Sequence, residues 1–304
     1  MQKITPHLWF DTQAKEAAEF YVSLFGKDSR VKSIFTIPDT PSGSVDVVTF
    51  SLLGHEFTAI SAGPFFKFNP SVSFSVACRT KEEVDTLWEK FSVHGNVLME
   101  LGQYPFSERY GWLSDKYGLS WQVIAMGDNT ITQNITPSIM YVGDVCGKAE
   151  EAINFYVSIF RDAPSGSGKG KSEVGDISRY TKGQEPDKEG TITHVFFTLM
   201  GQVFAAMDSA RAHQFSFNEA ISFVVNCKTQ EEIDYYWSKL SADPKAEQCG
   251  WLKDKYGLSW QIVPIGLNDM LESKDKEKVA RVTQAFLKMK KFNLAELKLA
   301  ARGN

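Results

Sequence analysis

A motif of twelve residues occurs twice in this chain, and it constrains the fold more strongly than any other feature of the sequence. The segments Gly111–Gln122 and Gly250–Gln261 differ only where Ser114 is replaced by Lys253. Agreement over this length indicates that the chain is a tandem duplication of one fold. Each candidate residue can therefore be compared with its counterpart, the residue at the equivalent position of the other copy.

Length and charge exclude several classes of protein. With 304 residues the chain can form two domains, each large enough to bury its own core. A net charge of −4 argues against nucleic acid as a partner, because phosphate binding requires a dense basic surface. No apolar run is long enough to span a membrane, and the first residues lack the apolar segment of a signal peptide. We expect a cytoplasmic protein with no membrane partner.

The four cysteines do not form a metal or redox motif. No two of them have the two-residue spacing that is typical of zinc sites and redox pairs. Cys78 and Cys227 end equivalent predicted strands. We interpret them as buried free thiols that pack like small apolar side chains.

The order of predicted elements repeats within each copy. Alternating residues over 4–10 predict a strand, and apolar residues at helical spacing over 17–25 predict a helix before three further strands. A strand at 71–78 then begins the same series again, with Thr80 and Glu83 as a capping box for the second helix. We call one series of strand, helix and three strands a module. The pattern predicts two modules in each copy.

These patterns predict the following domain boundaries. The first domain covers 1–127, and a short polar linker covers 128–134. The second domain covers 135–268 and carries a flexible Gly- and Ser-rich insertion at 163–190. The remaining residues, 269–304, form a helical tail.

One apolar stripe along the tail predicts a docking face, either on this chain or on a partner. Its members share helical spacing or lie directly beyond that stretch: Val279, Val282, Phe286, Met289, Phe292, Leu294 and Leu297.

The repeated modules and their closing motif resemble the PhnB-like family, often labelled "3-demethylubiquinone-9 3-methyltransferase". This family belongs to the vicinal oxygen chelate superfamily of glyoxalases, bleomycin resistance proteins and dioxygenases. The resemblance covers 4–126 and 135–301 and rests on the two copies of the motif together with 4–10, 17–25, 104–112, 135–137, 152–160, 249–252 and 286–291. It implies an α+β fold of tandem glyoxalase-like domains. Each domain would contain two βαβββ modules that form a half-open barrel around a cavity, followed by a C-terminal helix.

The resemblance also implies positions for a divalent metal. In metal-using members, inward His, Glu or Gln side chains of the first and last strand of each module bind the ion. In the first copy these positions fall on or near His7, Ser61, Ser73 and Gln122. In the second copy they fall on or near Ser138, Asp208, Ser222 and Gln261.

Neither set contains three strong metal ligands, the usual minimum for a catalytic zinc site. We therefore predict no cofactor and regard a divalent metal as disfavoured. The alternative is a metal held by His7 and Gln122 in one cavity, and by Asp208 and Gln261 in the other. The strand register decides this question, because a shift of two residues keeps the inward face but changes the residue.

Six residues are candidates for contact with a ligand in the cavities: His7, Trp9, Gln122, Ser138, Asp208 and Gln261. His7 has the same parity as Thr5 and Trp9 on its strand, which predicts that it faces the cavity. Its counterpart Ser138 shows that the fold does not require an imidazole at this position. Gln122 and Gln261 occur in both copies and fit either a ligand contact or a satisfied amide between strands.

Three functional hypotheses follow. The first is a small-molecule-binding protein that holds its ligand in an aromatic-walled cavity near His7, Trp9 and Gln122. The second is a metal-dependent lyase, isomerase or dioxygenase-type enzyme. The third is the methyltransferase of the family label, which we disfavour because no Gly-rich turn for S-adenosylmethionine follows a predicted strand. We expect a monomer with pseudo-dimeric domains or a homodimer.

Overall fold

The computed structural model describes residues 2–164 and 170–303, which contain fifteen strands and seven α-helices. The first module contains β1 (Ile4–Phe10), α1 (Ala14–Phe25), β2 (Arg30–Thr40), β3 (Gly43–Leu52) and β4 (His55–Ser61). The second contains β5 (Val72–Cys78), α2 (Lys81–Ser92), β6 (Asn96–Tyr104), β7 (Ser107–Ser114) and β8 (Ser120–Ala125). The α+β class and the module order of the first copy are confirmed.

The second copy follows the same order with one difference. Its first module contains β9 (Ile135–Tyr141), α3 (Ala149–Arg161), β10 (Glu173–Arg179), β11 (Ile192–Leu199) and β12 (Gln202–Asp208). Its second module contains β13 (Ile221–Cys227), α4 (Gln230–Leu240), β14 (Trp251–Lys253) and β15 (Ser259–Pro264). This last module has two strands after its helix instead of three. The segment before β14 is too short to form a counterpart of β6.

The predicted capping signal operates in both copies. The Thr80 hydroxyl accepts a hydrogen bond from the Glu83 N–H at 3.2 Å, and the Thr229 hydroxyl accepts one from the Glu232 N–H at the same distance. These contacts satisfy one free N–H group at the start of α2 and of α4.

The strands form two sheets, and each sheet combines one module from each copy. The first sheet has the order β14-β15-β13-β1-β4-β3-β2, and the second has the order β10-β11-β12-β9-β5-β8-β7-β6. The modules join because β1 pairs antiparallel with β13, and β5 pairs antiparallel with β9. The first unit comprises 2–67, 162–164 and 218–303 of the described residues, and the second comprises 68–161 and 170–217.

The compact units therefore differ from the predicted domains. The two sequence copies are continuous in the chain, whereas each unit takes its strands from both copies. The predicted linker 128–134 connects two modules of the second unit. Gln133 within it is anchored, because its side chain donates to the Val203 carbonyl at 2.7 Å and accepts from the Val203 N–H at 2.9 Å.

The tail docks on the first unit of this chain, where it forms α5 (Leu267–Leu271), α6 (Lys276–Phe286) and α7 (Leu294–Arg302). The predicted stripe is a docking face, and Val282 and Leu297 are completely buried. Helix α6 contacts β2, one end strand of the first sheet. Next to β14, the other end strand, the N–H groups of Cys249 and Gly250 donate to the carbonyls of Met289 and Lys290 at 2.8 and 2.7 Å. The tail thus contacts both ends of this sheet.

Gly250 is required for this contact with the tail. Its φ is +84°, and a Cβ atom there would lie 2.4 Å from the Phe292 ring. A side chain at this position would therefore clash with the docked tail and adopt a backbone conformation that L-residues rarely take.

Part of the predicted flexible insertion, residues 165–169, lies outside the described residues. The described remainder contains β10 and a loop with several anchors. Arg179 binds Glu150 through two hydrogen bonds of 2.7 Å, and the Asp187 carboxylate accepts the Ala210 N–H at 2.7 Å. These contacts connect the loop to α3 and to the segment that follows β12.

Cys78 and Cys227 are buried free thiols, as predicted. Burial raises the pKa of each thiol to about 12, so neither forms the reactive thiolate near neutral pH. Within the described ranges, no helix combines the length and the apolar character needed to cross a bilayer.

Candidate functional site

Each sheet has one face covered by helices and an opposite face that we call its inner face. In the first sheet His7 lies directly opposite Ser222, and Trp251 lies opposite Gln261. Residues directly opposite one another share a face, and alternation then places Trp9 with His7. The inner face of the first sheet therefore brings together three of the six predicted candidates, His7, Trp9 and Gln261.

His7 is deeply buried and uncharged. Its side chain is 6% exposed, and its Nδ1 atom has no hydrogen-bond partner among the described residues. Burial lowers the pKa of His7 to about 3, because the imidazolium would lose its hydration without gaining a compensating charge. At neutral pH the ring is therefore a neutral imidazole with one hydrogen-bond donor and one acceptor.

Aromatic rings surround this imidazole. The Trp251 ring meets the His7 ring edge-on with a centroid separation of 5.3 Å, and it meets the Trp9 ring at 6.0 Å. Phe66 lies 5.0 Å from Trp9, and Phe65 lies 6.4 Å from Trp9 with 67% of its surface exposed. These rings form one aromatic cluster that includes His7.

The inner face of the second sheet carries the equivalent positions with different chemistry. Ser73 lies opposite Ser138, the counterpart of His7. The Gln122 amide donates to the Ser73 hydroxyl at 2.7 Å, and its carbonyl oxygen accepts from the Tyr110 hydroxyl at 3.0 Å. Burial raises the pKa of Tyr110, so the phenol keeps its proton and remains a donor. These groups satisfy one another.

A third hydrogen bond lies on the same face of the second unit. The Trp112 indole donates to the Ser120 hydroxyl at 2.8 Å. In the first unit the counterparts of Trp112 and Ser120 are Trp251 and Ser259. The Ser259 hydroxyl is buried without a partner. The indole of Trp251 instead packs against His7 and Trp9.

The two inner faces therefore differ in how well their polar groups are satisfied. In the first unit the Gln261 amide still donates to the Ser222 hydroxyl at 2.9 Å. However, Cys249 stands in place of Tyr110, whose hydroxyl donates to the Gln122 amide in the second unit. Among the described residues, three side-chain polar atoms of the first unit are buried without a partner, namely His7 Nδ1, Ser259 Oγ and Thr283 Oγ1. Two of these, on His7 and Ser259, belong to strands of the inner face. An unsatisfied buried polar group costs about 1–3 kcal/mol, a cost that the hydrogen bonds of the second unit avoid.

The expected grouping of candidates by sequence copy is corrected by the structure. His7 and Gln122 lie in different units, because β1 pairs with β13 and not with a strand of its own copy's second module. Asp208 and Gln261 are separated for the same reason. The observed sets are His7 with Gln261 and Ser138 with Gln122.

Asp208 is not on an inner face. It lies beside Tyr141, whose hydroxyl contacts Tyr156 of helix α3, so alternation directs Asp208 toward the helices. One carboxylate oxygen accepts the N–H groups of Gly147 and Ala149 at 2.7 and 3.2 Å, and the other accepts the Ile192 N–H at 3.0 Å. Burial raises the pKa of this carboxyl, while the three N–H groups oppose the rise.

Ser61, the counterpart of Asp208, has the same role. Its hydroxyl accepts the N–H of Ala14, the first residue of α1, at 3.1 Å. Both residues thus connect the end of a strand to the start of the preceding helix. We assign them a structural role, and the expectation that they face a cavity is corrected.

The donor set of the first unit does not fit a catalytic divalent metal. With Ser61 directed toward a helix, the inner face around His7 offers one imidazole, one carboxamide and hydroxyl groups, and the Glu56 carboxylate of this face is paired with Lys32. Such sites require at least three strong ligands, and amides and neutral hydroxyls are weak ones. Across the described residues, no three His, Cys, Asp or Glu side chains form a group that could hold a metal.

A separate groove of about 770 Å³ lies in the second unit, beside the hairpin of β6 and β7. It is lined in part by Arg79, Lys81, Phe106 and Glu108, and it contains none of the six candidates. Lys81 and Glu108 form an exposed ion pair across it at 2.7 Å. Such pairs contribute little free energy.

Sequence reasoning did not assign Trp251 and Ser259 to the site. Both lie within the repeated motif, where their identity with Trp112 and Ser120 favoured a purely structural role. The informative positions are those that differ between the copies. His7, Trp9 and Cys249 in the first unit replace Ser138, Met140 and Tyr110, respectively, in the second unit.

Comparisons with known proteins agree with this architecture. The family described as 3-demethylubiquinone-9 3-methyltransferase matches residues 2–124 and 133–263. A PhnB protein from Bacillus cereus is 43% identical over 41% of this chain and 99% of its own length, with a TM-score of 0.38. A glyoxalase I variant from Zea mays is 12% identical over 86% of this chain and 94% of its own, with a TM-score of 0.51, and shows the fold alone. Comparison with curated proteins gives no match.

These findings confirm the predicted resemblance and the tandem glyoxalase-like fold. The family model matches the chain twice, so the chain contains two tandem copies of the family's domain.

Proposed function

Because the chain belongs to the family described as 3-demethylubiquinone-9 3-methyltransferase, with two copies of its domain, we propose that one unit has kept a ligand site and the other has not. The protein binds a small molecule on the inner face of the first sheet, at His7, Trp9 and Trp251. The equivalent face of the second unit contributes to stability.

The observation that carries this proposal is the difference in hydrogen bonding between the two faces. Tyr110, Gln122 and Ser73 form a continuous chain in the second unit, and Trp112 binds Ser120. The first unit leaves His7 Nδ1 and Ser259 Oγ buried without partners. Buried polar groups normally have partners, so a ligand that supplies one regains part of the free energy lost on burial.

The chemistry of the site favours binding over metal-assisted catalysis. Around His7 the inner face supplies one strong metal ligand, His7 itself, together with the weak donors of Gln261 and Ser222. The Glu56 carboxylate of this face is paired with Lys32. A neutral imidazole with a pKa of about 3 is also a poor general base near neutral pH. The methyltransferase of the family description has no support from a Gly-rich turn after a strand.

A thermal-shift screen with a library of small metabolites tests the proposal. It uses the full chain, with and without a chelator. A ligand present at one hundred times its Kd stabilises the folded protein by about 2.7 kcal/mol, and this gain should survive chelation.

Two double variants locate the binding site. His7→Ser with Trp9→Met gives β1 the inner-face residues that β9 carries naturally, so the fold tolerates them, and it should abolish the shift. The matched control, Ser138→Ala with Met140→Leu in the second unit, should leave the shift unchanged. A shift that persists in the first variant and disappears in the control would place the site in the second unit and contradict the proposed location. No stabilising compound in the library would contradict the proposed function itself.

A further inference from the structure

The tryptophans at equivalent positions of the two units, Trp251 and Trp112, make different contacts although their strands have the same register. In each unit the tryptophan lies directly opposite the glutamine of the final strand, and a buried serine lies two residues before that glutamine. Both tryptophan rings are half-buried. Each indole therefore has a serine hydroxyl at the same place in the neighbouring strand.

Trp112 uses this hydroxyl group, whereas Trp251 does not. The Trp112 indole donates to Ser120 at 2.8 Å, but the equivalent hydroxyl of Ser259 is buried without a partner. The Trp251 ring instead packs edge-on against His7, with the ring centroids 5.3 Å apart. The second unit thus shows a second orientation for a tryptophan in this motif.

The neighbouring strand explains the difference. β1 places two rings beside Trp251, namely His7 and Trp9, and the Trp9 ring lies 6.0 Å from that of Trp251. At the equivalent positions β9 carries Ser138 and Met140, which have no rings. Aromatic rings attract one another edge to face, so the rings of β1 stabilise the observed orientation of Trp251.

The two orientations of Trp251 are close in free energy. Contacts with two rings favour the observed orientation, whereas the other would give the buried Ser259 hydroxyl the partner that it lacks. These contributions are of the same order. Because Trp251 is half-buried, its ring can turn on the solvent side without displacing the buried core. A side chain with two such orientations populates both, and a ligand shifts the population toward the one that it binds.

From these observations we propose that Trp251 is a two-state gate over His7. In the closed state, which the structure shows, the Trp251 ring packs against the imidazole. In the open state its indole donates to Ser259, as Trp112 donates to Ser120, and the side of the imidazole that the ring contacts becomes accessible. The role of this gate in ligand entry rests on the proposed function, whereas the two orientations of the ring do not.

Hydrogen exchange of the indole N–H groups distinguishes the two states in the ligand-free chain. With nitrogen-15 labelled tryptophan, two-dimensional NMR gives one indole signal for each of the seven tryptophans, and Trp251→Phe and Trp112→Phe identify the two relevant signals. An indole that donates to a buried hydroxyl exchanges its proton more slowly than a free one. We expect the Trp251 indole to exchange about tenfold faster than that of Trp112, the factor that corresponds to one hydrogen bond.

Removal of the rings of β1 should open the gate. His7→Ser with Trp9→Met gives β1 the residues that β9 carries, and it should slow exchange of the Trp251 indole about tenfold, to the rate of Trp112. Adding Ser259→Ala removes the acceptor and should restore fast exchange. His7→Ser alone provides a second variant, with slowing in the same direction, in case the double variant does not fold. Unchanged exchange of the Trp251 indole in the folded variants, or slow exchange that survives Ser259→Ala, would overturn the proposal.

Matched serine variants test the closed state. Ser120→Ala removes the hydrogen bond that Trp112 makes and should lower the urea concentration at the midpoint of unfolding. Ser259→Ala removes a hydroxyl group that has no partner in the closed state, so it should leave the midpoint unchanged or raise it. An equal decrease in both variants would show that Trp251 already donates to Ser259, and it would overturn the assignment of the closed state.

The gate and the proposed function can fail separately, because the exchange and urea measurements use no ligand. A Trp251 indole that exchanges rapidly in every variant would remove the gate, and any compound found in the library screen would still locate the binding site. A library without an active compound would contradict the proposed function and leave the two orientations of the ring unaffected.

Discussion

The buried, neutral state of His7 predicts a specific pH dependence of stability. In the unfolded chain a histidine has a pKa of about 6.5, whereas burial lowers the pKa of His7 in the folded protein to about 3. Between these values the unfolded state binds one more proton than the folded state. The free energy of unfolding therefore decreases as the pH falls from 6.5 toward 3, and the stability associated with neutral His7 is fully present above pH 6.5.

The size of the effect follows from the shift. Each pH unit within this window costs about 1.36 kcal/mol, so lowering the pH from 6.5 to 5 costs about 2 kcal/mol. Other groups contribute to the total pH dependence of the protein. The contribution of His7 is isolated by comparing the wild type with His7→Ser, which has no imidazole at this position.

Urea denaturation at pH 7.5 and pH 5 measures this contribution. The loss of unfolding free energy between the two pH values should be about 2 kcal/mol larger for the wild type than for His7→Ser. Ser138→Ala, at the equivalent position of the other copy, removes no titratable group and should lose as much as the wild type. Equal losses in the wild type and His7→Ser would refute the reasoning, because the imidazole would then accept its proton as readily in the folded protein as in the unfolded chain.

Two further predictions concern buried charges, and both are measured by urea denaturation at neutral pH. Lys3 and Glu232 form a 2.9 Å ion pair, and their side chains are only 7% and 3% exposed. Lys3→Met should therefore destabilise the protein by about 3–5 kcal/mol, and adding Glu232→Gln should recover part of this loss. If the effects of the two substitutions simply added, the two residues would not be coupled. Asp208→Ala leaves three backbone N–H groups without their acceptor and should lower the free energy of unfolding by about 3 kcal/mol or more. Ser61→Ala removes one such hydrogen bond and should lower it by about 1 kcal/mol. Equal costs would show that the three contacts of Asp208 do not stabilise the fold.

Much of the fold could be predicted because it depends on local patterns. The alternation in residues 4–10 and the capping box at Thr80 each act within a few residues, and the structure contains the corresponding elements. The tail stripe was also recognisable, although its docking site was not. The tail contacts both β2 and the segment before β14. These two contact surfaces are far apart in sequence, so no local pattern connects them.

The candidate site could be predicted in part. Strand parity predicted that His7 and Trp9 share a face, because alternation along a strand is a local property, and both lie on an inner face. The resemblance supplied Gln122, Ser138, Gln261 and the position near Asp208. The first three lie on inner faces, whereas Asp208 lies on the helix-covered face, which differs by one residue of register. Parity also could not show which candidates share a unit.

The sequence by itself determined the duplication, the order of elements and the residues that differ between the copies. Only the tertiary structure decided which modules share a sheet, and therefore that His7 shares a face with Gln261 and Trp251 and not with Gln122. The physical reason is that modules of both copies offer nearly the same strand edges and apolar faces, so local pattern does not discriminate among their pairings. The long-range pairing of β1 with β13 and of β5 with β9 makes that choice, and it leaves the unsatisfied polar groups together in one unit.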